Sequence, residues 1–198
     1  MRDAAALSGI DLYVASSFRD FDQQVAIWNA KWSGERPLHD RSGRLVQAGE
    51  LPDTERMDAI LSWSAIPGGS RHHWGSDLDV CDAAAIPEGY KVQLLPEEYG
   101  HDGLFSRLTA WLDENMHQFG FFRPFREDRN GVVPELWHLS YAPISLPALE
   151  RLELPVLRRA LEVSDLVCKA QVLARLPEIY TRFVLSVEVP EERKAIGT

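Results

Sequence analysis

The chain has 198 residues, of which 45% are hydrophobic and 10% aromatic, and it carries a formal net charge of −9 at pH 7. That length suits one domain of ordinary size with a small appendage, and this composition can fill a core. The acidic balance argues against a surface for nucleic acid or for an anionic membrane, because both need clustered Lys and Arg. No apolar run approaches the roughly 18 residues of a membrane-spanning helix, so we expect no membrane span.

Hydrophobic spacing predicts the elements of the first third of the chain. Apolar residues at three- and four-residue steps predict helices at residues 3–8, 18–32 and 54–65. Residues 11–17 have the pattern of a short strand. Residues 33–51 are rich in charge, Gly and Pro, which is typical of a long surface loop, and the Pro-Gly-Gly sequence at residues 67–69 breaks the chain.

The remaining elements alternate between strands and helices. Strands are predicted at residues 75–82, 121–125 and 135–141, with a turn at 129–131 between the last two. Residues 90–100 are typical of a loop, and residues 101–119 have helical spacing that ends at Gly120. From Leu146 onward the pattern is helical and Leu-rich, with interruptions at Pro155 and Pro177. The order of elements predicts one α+β domain with a helical C-terminal extension.

The segment S-R-H-H-W-G-S-D-L-D-V, residues 70–80, places polar and acidic side chains beside apolar ones. Successive side chains of a strand point to opposite faces. On a strand at these residues, Leu78 and Val80 therefore point to one face, and Asp77 and Asp79 point to the other. An apolar back with carboxylates in front predicts a sheet that lines a cleft.

His72 lies seven positions before Asp79, so the two side chains would face opposite sides of an unbroken strand. Gly75 and the preceding loop offer a break that would bring His72 to the carboxylate face. Cys81 lies on the same predicted face. We expect it to be a packed thiol, although a cysteine there could in principle reach a metal ion.

A second polar cluster, P-E-L-W-H-L-S-Y at residues 134–141, places Glu135 three positions before His138. A catalytic zinc ion takes three protein ligands of nitrogen or oxygen type and leaves a position for water. His72, Asp79 and His138 as ligands, with Glu135 as the base that takes a proton from water, fill each of these roles once. These residues taken alone are equally compatible with a metal-free structural domain.

Three stretches of the sequence resemble a known family. S-R-H-H-W-G-S-D-L-D resembles the S-x-H-x-x-G-x-A-x-D signature of the D-alanyl-D-alanine carboxypeptidase and dipeptidase metallopeptidases, the VanY-like and VanX-like group called peptidase family M15. E-L-W-H resembles the later E-x-W-H signature of the same family, at a similar separation along the chain. S-S-F-R, residues 16–19, resembles the S-G-Y-R stretch that ends the family's first core strand. The resemblance covers residues 9–141.

This resemblance implies a role for each matching residue. His72, Asp79 and His138 match the ligands of one Zn²⁺ ion, and Glu135 matches the catalytic base. Arg19 matches an arginine that points at the substrate carbonyl and supports the developing negative charge. Without the resemblance, Arg19 would be interpreted as part of a surface salt bridge.

Three further residues are implied as substrate contacts. Ser70 matches the serine of the first signature, and Gln24 follows Arg19 at a spacing common in the family. Asp77 departs from the family pattern, which has a small alanine at that position. Its carboxylate is expected either to hold a ligand histidine by a hydrogen bond or to alter the choice of substrate.

The implied fold is a small antiparallel sheet flanked by helices, as in the Hedgehog and D,D-peptidase proteins. Residues 1–145 would form the catalytic domain, and residues 146–198 a helical extension packed on it. The implied activity is hydrolysis of peptidoglycan stem peptides, with D-alanyl-D-alanine carboxypeptidase as the first expectation.

Two alternatives remain open at this point. One is another activity of the same family, such as an L,D-carboxypeptidase or an L-alanyl-D-glutamate endopeptidase. The other is a zinc-containing binding module without catalysis, as in the Hedgehog signalling domain. We expect a monomer. The substrate class points to the periplasm or cell envelope, whereas the sequence shows no signal peptide, which would leave a complete chain in the cytoplasm.

Overall fold

The protein, described here at residues 1–190 from a computed structural model, has an antiparallel sheet with helices packed around it. The six strands are β1 Leu12–Ser16, β2 Leu38–His39, β3 Leu45–Val46, β4 Asp77–Asp82, β5 Phe121–Phe122 and β6 His138–Tyr141. The eight α-helices are α1 Arg2–Leu7, α2 Phe21–Ser33, α3 Asp53–Trp63, α4 Pro96–Tyr99, α5 Ser106–Asn115, α6 Ala142–Arg151, α7 Leu154–Glu162 and α8 Lys169–Ile179. The predicted class, a small antiparallel sheet flanked by helices, is confirmed. Within these residues, no helix is both long and apolar enough to cross a membrane.

The main sheet has four strands in the order β1–β4–β6–β5, and each neighbouring pair is antiparallel. Strands β2 and β3 form a separate two-residue hairpin within residues 33–51. In the central pair, Asp79 lies opposite His138 and Asp77 lies opposite Ser140. Directly opposed side chains share a face of the sheet, so this register gathers four polar side chains on one face.

Two apolar clusters support the two sides of the molecule. The first packs the back of the main sheet against helices α1 and α5, and its fully buried members include Val80, Leu108 and Leu139. The second joins helices α2 and α3 to the C-terminal helices through residues such as Trp28 and Leu176. The C-terminal helices thus share a core with α2 and α3. The predicted boundary between residues 1–145 and 146–198 falls inside helix α6, and this division stays a prediction. Residues 191–198 of the predicted extension lie outside the described residues.

Some observed helices and strands are shorter than predicted, because a helix cap, a proline or a backbone hydrogen bond limits them. Helix α2 begins at Phe21 rather than residue 18, because Asp20 caps it by accepting a hydrogen bond of 2.7 Å from the amide of Gln23. Strand β5 is only two residues long, since Pro124 cannot donate to the sheet. Strand β6 begins at His138 because the amide of Glu135 bonds instead to the carbonyl of Phe125 at 2.7 Å.

Other predicted elements are divided differently in the structure. The predicted helix at 101–119 forms only as α5, followed by a 3₁₀ turn at Met116–Phe119. A side chain at Gly103 would lie 2.3 Å from the backbone oxygen of Glu97, so the chain before α5 is a tight turn. The predicted loop at 90–100 contains the four-residue helix α4. Pro177 lies inside α8, and the chain widens into a π-helical turn only at Tyr180–Val184.

Candidate metal centre and active-site cleft

A glycine break places His72 above strand β4. His72 lies on the 3₁₀ turn Arg71–Trp74, which Gly75 ends with a φ of +67°. Glycine adopts this left-handed conformation without steric cost. The turn brings His72 Nε2 to 3.4 Å from Asp79 Oδ2. This is the break that the sequence predicts.

The opposed strands β4 and β6 bring the second histidine to the same carboxylate. His138 Nδ1 lies 3.2 Å from Asp79 Oδ1. All three side chains are buried, and their candidate donor atoms lie within 4.8 Å of one another. Ligand atoms about 2 Å from one tetrahedral ion are about 3.3 Å apart, which is close to both of these separations.

Hydrogen bonds leave a lone pair of each histidine directed at this space. His72 Nδ1 lies 2.8 Å from the carbonyl oxygen of Ser17, which can only accept, so Nδ1 carries the hydrogen and Nε2 is free to bind a metal. His138 Nε2 lies 2.8 Å from Asp77 Oδ2, which makes Nε2 the donor and Nδ1 the free atom. A hydrogen bond from the outer nitrogen is the usual arrangement of a metal-binding histidine.

Asp79 supplies an observation that an ion would explain. Its Oδ1 atom is buried and has no hydrogen-bond partner. A buried carboxylate oxygen without a partner carries a large desolvation cost, which a divalent cation would offset. The donor set of two imidazole nitrogens and one carboxylate therefore fits a zinc ion.

The charges around His138 favour a cation at this position. Burial alone would lower the pKa of His138, but the three carboxylates around it raise that pKa well above its ordinary value. Burial likewise opposes ionisation of Asp79, yet the adjacent imidazoles of His138 and His72 bring the pKa of Asp79 below its ordinary value. A bound metal would supply the positive charge in place of a proton.

Glu135 lies beside the three donor residues. Its Oε2 atom is 3.3 Å from His138 Nδ1, and its side chain is almost fully buried. The hydrogen bond from the amide of Glu135 to the carbonyl of Phe125, just before strand β6, also fixes the backbone of Glu135. The carboxylate would therefore lie beside a metal ion held by these three residues.

Arg19 lies at the start of helix α2 and faces the same cleft. Its Nη1 donates to Gln24 Oε1 at 2.8 Å, and its Nη2 donates to Ser16 Oγ at 3.1 Å. Burial lowers the pKa of Arg19, while the nearby carboxylates Asp79 and Glu135 oppose that change. Among residues 1–190, no carboxylate lies within 4 Å of this guanidinium, so the surface salt bridge considered for it is not found.

Gln24 and Asp77 support other site residues from buried positions. Gln24 is fully buried and accepts from Arg19 with its Oε1 atom, while its Nε2 atom donates to the carbonyl of Ala65 at 2.8 Å. Asp77 is also fully buried and bonds to His138. Both side chains thus contact other site residues, and the expected contacts of Gln24 and Asp77 with a substrate stay predictions.

A buried network holds the carboxylate of Asp77. Arg71 Nε donates to Asp77 Oδ2 at 2.8 Å, and the hydroxyls of Ser76 and Ser140 donate to Oδ1 at 2.6 Å and 3.0 Å. Burial alone would raise the pKa of Asp77, but the bond with His138 and the charge of Arg71 hold it below its ordinary value. Asp77 is therefore an ionised partner of His138.

The donor residues lie in a cleft of about 390 Å³ with two walls of different composition. One, the sheet wall, consists of Ser70, Arg71, His72, Asp79, Glu135, Trp137 and His138. The other, the helix wall, runs from Arg19 along helix α2 to the hairpin and consists of Arg19, Ile27, Lys31, Arg36, Pro37 and His39. Ser70, expected from its signature position, is nearly fully buried at the edge of the sheet wall.

Sequence reasoning missed Lys31 and Arg36. Gln24, Ile27 and Lys31 are spaced by three and four residues, which places them on one face of helix α2. That spacing signals which residues follow Arg19 into the cleft.

Cys81 is buried in the apolar cluster behind the sheet, and burial raises the pKa of its thiol to about 11. It lies outside the candidate donor group.

Comparison with known proteins agrees with this geometry. Residues 1–144 match the family model described as VanY, D-alanyl-D-alanine carboxypeptidase. The chain belongs to the VanY family. Helices α7 and α8 lie beyond the matched residues.

Relatives of this VanY-family chain differ in length. An uncharacterised protein of Haemophilus influenzae is 31% identical over 131 residues, which cover 65% of this chain and 100% of that protein. A D-alanyl-D-alanine carboxypeptidase of Enterococcus faecalis is 28% identical over 148 residues, which cover 72% of this chain and 44% of that protein. The chain therefore matches less than half the length of the second relative.

A solved structure has the same fold. It is a crystal structure of a mutant of the vancomycin-resistance D,D-pentapeptidase VanY, from a VanB-type resistance cassette, in complex with Zn(II). The two structures agree with a TM-score of 0.51 at 23% sequence identity, with 90% of this chain and 76% of that chain covered.

Proposed function

We propose that this protein is a zinc-dependent D-alanyl-D-alanine carboxypeptidase that removes the terminal D-alanine from peptidoglycan stem peptides. The observation that carries the proposal is the convergence of His72, Asp79 and His138 on one space, with Glu135 and Arg19 facing the same cleft. Membership of the VanY family supports the reaction, and the zinc complex of the VanY pentapeptidase supports the metal.

The ligands of one zinc ion would be His72 Nε2, the carboxylate of Asp79 and His138 Nδ1. When bound, zinc supplies a Lewis acid that polarises the scissile carbonyl and lowers the pKa of water. Asp77 holds His138 in the tautomer that leaves Nδ1 free, and the carbonyl of Ser17 does the same for His72.

Glu135 is the proposed general base and acid. Its carboxylate takes a proton from the attacking water and then delivers it to the nitrogen of the leaving D-alanine. The proton therefore ends on the leaving amine, and the new carboxylate forms on the shortened peptide. A carboxylate that is almost fully buried beside a histidine suits this role, because its position is fixed before the substrate binds.

Arg19 is the proposed partner of the scissile carbonyl oxygen, on which negative charge develops during the attack. Gln24 and Ser16 hold its guanidinium by two hydrogen bonds, so the donors are oriented in advance. Because Arg19 has no carboxylate within 4 Å in the described chain, its charge is available to the substrate. Ser70 is the proposed contact to the substrate backbone at the edge of the sheet wall.

Digestion of defined muropeptides tests this function. Purified protein with zinc is incubated with pentapeptide and tetrapeptide muropeptides, and the products are identified by mass spectrometry. We expect the pentapeptide to lose one D-alanine and the tetrapeptide to stay intact. The activity should disappear on treatment with a chelator and return with added zinc.

Other products would assign a different function. Loss of D-alanine from the tetrapeptide would indicate an L,D-carboxypeptidase, and cleavage between L-alanine and D-glutamate would indicate an endopeptidase. Stoichiometric zinc with no cleavage of any muropeptide would indicate a binding module.

A further inference from the structure

Lys31 is a cation of the helix wall that the proposed reaction does not yet use. Its side chain lines the cleft on the same helical face as Ile27, and its Nζ atom donates to Ser64 Oγ at 2.6 Å. Within residues 1–190, no carboxylate lies within 4 Å of this ammonium. A lysine that bonds to a hydroxyl and has no counter-ion differs from Arg71 of the sheet wall, which is paired with Asp77.

One carboxylate and two other cations act on the charge of Lys31. Burial lowers the pKa of Lys31 to about 8, Glu135 opposes this change, and the charges of Arg36 and Arg19 add to it. Three cations thus face one volume and repel one another. Glu135, which lines the same cleft, has the largest charge effect on Lys31.

The cleft is cationic although the protein is acidic. The whole chain has a net charge of −9, whereas the cleft lining has two carboxylates and three cations that, within residues 1–190, have no carboxylate partner. Those two carboxylates, Asp79 and Glu135, already serve the candidate metal centre. Arg71 also lines the cleft but is neutralised by Asp77. An anionic group of a ligand would therefore find its partners on the helix wall.

We propose that Lys31, assisted by Arg36, binds the free carboxylate of the substrate's terminal residue and so restricts the enzyme to cutting the last peptide bond. This inference rests on the proposed carboxypeptidase function. The terminal carboxylate carbon lies within about 4 Å of the scissile carbonyl carbon, because only one residue separates them. A subsite for it must therefore lie in the cleft that Glu135 and Arg19 line, and Lys31 lines that same cleft.

Selectivity follows from the cost of leaving the charge of Lys31 without a counter-ion. A substrate with a free carboxylate supplies the missing anion and makes a charge-assisted hydrogen bond. A longer peptide, or a peptide with a C-terminal amide, leaves the buried ammonium without a counter-ion. The site thus discriminates against internal peptide bonds as well as favouring terminal ones.

Binding of a matched pair of peptides tests this proposal without hydrolysis. The zinc-loaded Glu135→Gln protein is titrated with N-acetyl-L-lysyl-D-alanyl-D-alanine and with the same peptide carrying a C-terminal amide. We expect the free acid to bind more tightly than the amide. Lys31→Met in the same background should weaken binding of the acid about 10- to 100-fold and change binding of the amide little.

Three further variants distinguish the subsite from a general charge effect. Lys31→Arg should keep most of the preference for the acid. Arg36→Gln, at an exposed residue that folding tolerates, should reduce the preference several-fold. Lys91→Met removes the same charge from another exposed position and should leave both affinities unchanged. Zinc content and thermal unfolding of each variant report whether it is folded.

Equal loss of affinity for the acid and the amide in Lys31→Met, or no loss for either, would overturn the subsite. Release of D-alanine by the unaltered protein is measured separately, so the carboxypeptidase function would survive that outcome. If neither peptide binds to zinc-loaded protein, both the subsite and the proposed substrate are wrong.

Discussion

The sheet wall and the helix wall of the cleft differ in how their charged side chains are satisfied. On the sheet wall, His138 contacts Asp77, and Asp77 is held in turn by Arg71 and two serine hydroxyls. On the helix wall, Lys31 and Arg36 face the cleft without a carboxylate partner in the described residues. The first arrangement suits the holding of an ion in one geometry, and the second suits the reception of a charged ligand.

This difference follows from the elements that carry the residues. Opposed strands fix the separation of Asp79 and His138 through backbone hydrogen bonds, so the donor geometry is set before any ligand arrives. Helix α2 and the hairpin after it present long side chains with freedom to adjust. In the proposed reaction, the metal ligands and Glu135 therefore lie on the sheet wall, whereas Arg19 and the proposed carboxylate subsite lie on the helix wall.

The largest expected effect is on the sheet wall, at Glu135. Glu135→Gln should lower the rate of D-alanine release by roughly 10²- to 10⁴-fold, because the general base and acid is lost. Zinc content should stay that of the unaltered protein, since Glu135 is outside the three donors. The measurement is a comparison of kcat together with metal analysis. Glu88→Gln, at an exposed residue, is the matched control, and equal rates in both variants would remove Glu135 from the mechanism.

The second effect concerns the core behind the helix wall. Leu176 is fully buried in the apolar cluster that joins helices α2 and α3 to the C-terminal helices, so Leu176→Ala should lower the free energy of unfolding by about 2–5 kcal/mol. Val163 is 83% exposed, and Val163→Ala should change that free energy by less than about 0.5 kcal/mol. Urea denaturation measures both. Similar values for the two variants would mean that the C-terminal helices do not support this wall.

A third effect separates positioning from ligation on the sheet wall. Asp77→Asn should weaken zinc binding by about 10- to 100-fold, because a neutral amide holds His138 less firmly than a carboxylate. A competition titration with a zinc chelator measures the change. The exposed pair of His101 and Asp102, 2.9 Å apart, offers the control Asp102→Asn, which should leave the affinity unchanged. An unaltered affinity in Asp77→Asn would contradict the role of the network.

The smallest effect is expected at Cys81. Its thiol lies in the apolar cluster behind the sheet and its pKa is raised to about 11 by burial, so it is a packed group. Cys81→Ala should keep the zinc affinity of the unaltered protein in the same titration. A loss as large as that in Asp77→Asn would indicate that the sulfur binds the ion.

Particular residues show how far the sequence predicts this structure. The alternation along strand β4 and the glycine at position 75 predict that His72 and Asp79 face one space, and the resemblance adds His138 and Glu135. The contact between Asp77 and His138 depends on the register of strands β4 and β6, which are distant in the chain. This register cannot be predicted from a single sequence. Residue spacing predicts which face of helix α2 carries Lys31. That this face lines a cleft opposite the sheet wall depends on the tertiary fold.

X-ray diffraction at the zinc absorption edge, from crystals grown with zinc, tests the central claim most directly. We predict one anomalous peak about 2 Å from His72 Nε2, His138 Nδ1 and the carboxylate of Asp79. Full occupancy of zinc elsewhere in the protein, or no peak between these side chains at saturating zinc, would contradict the account.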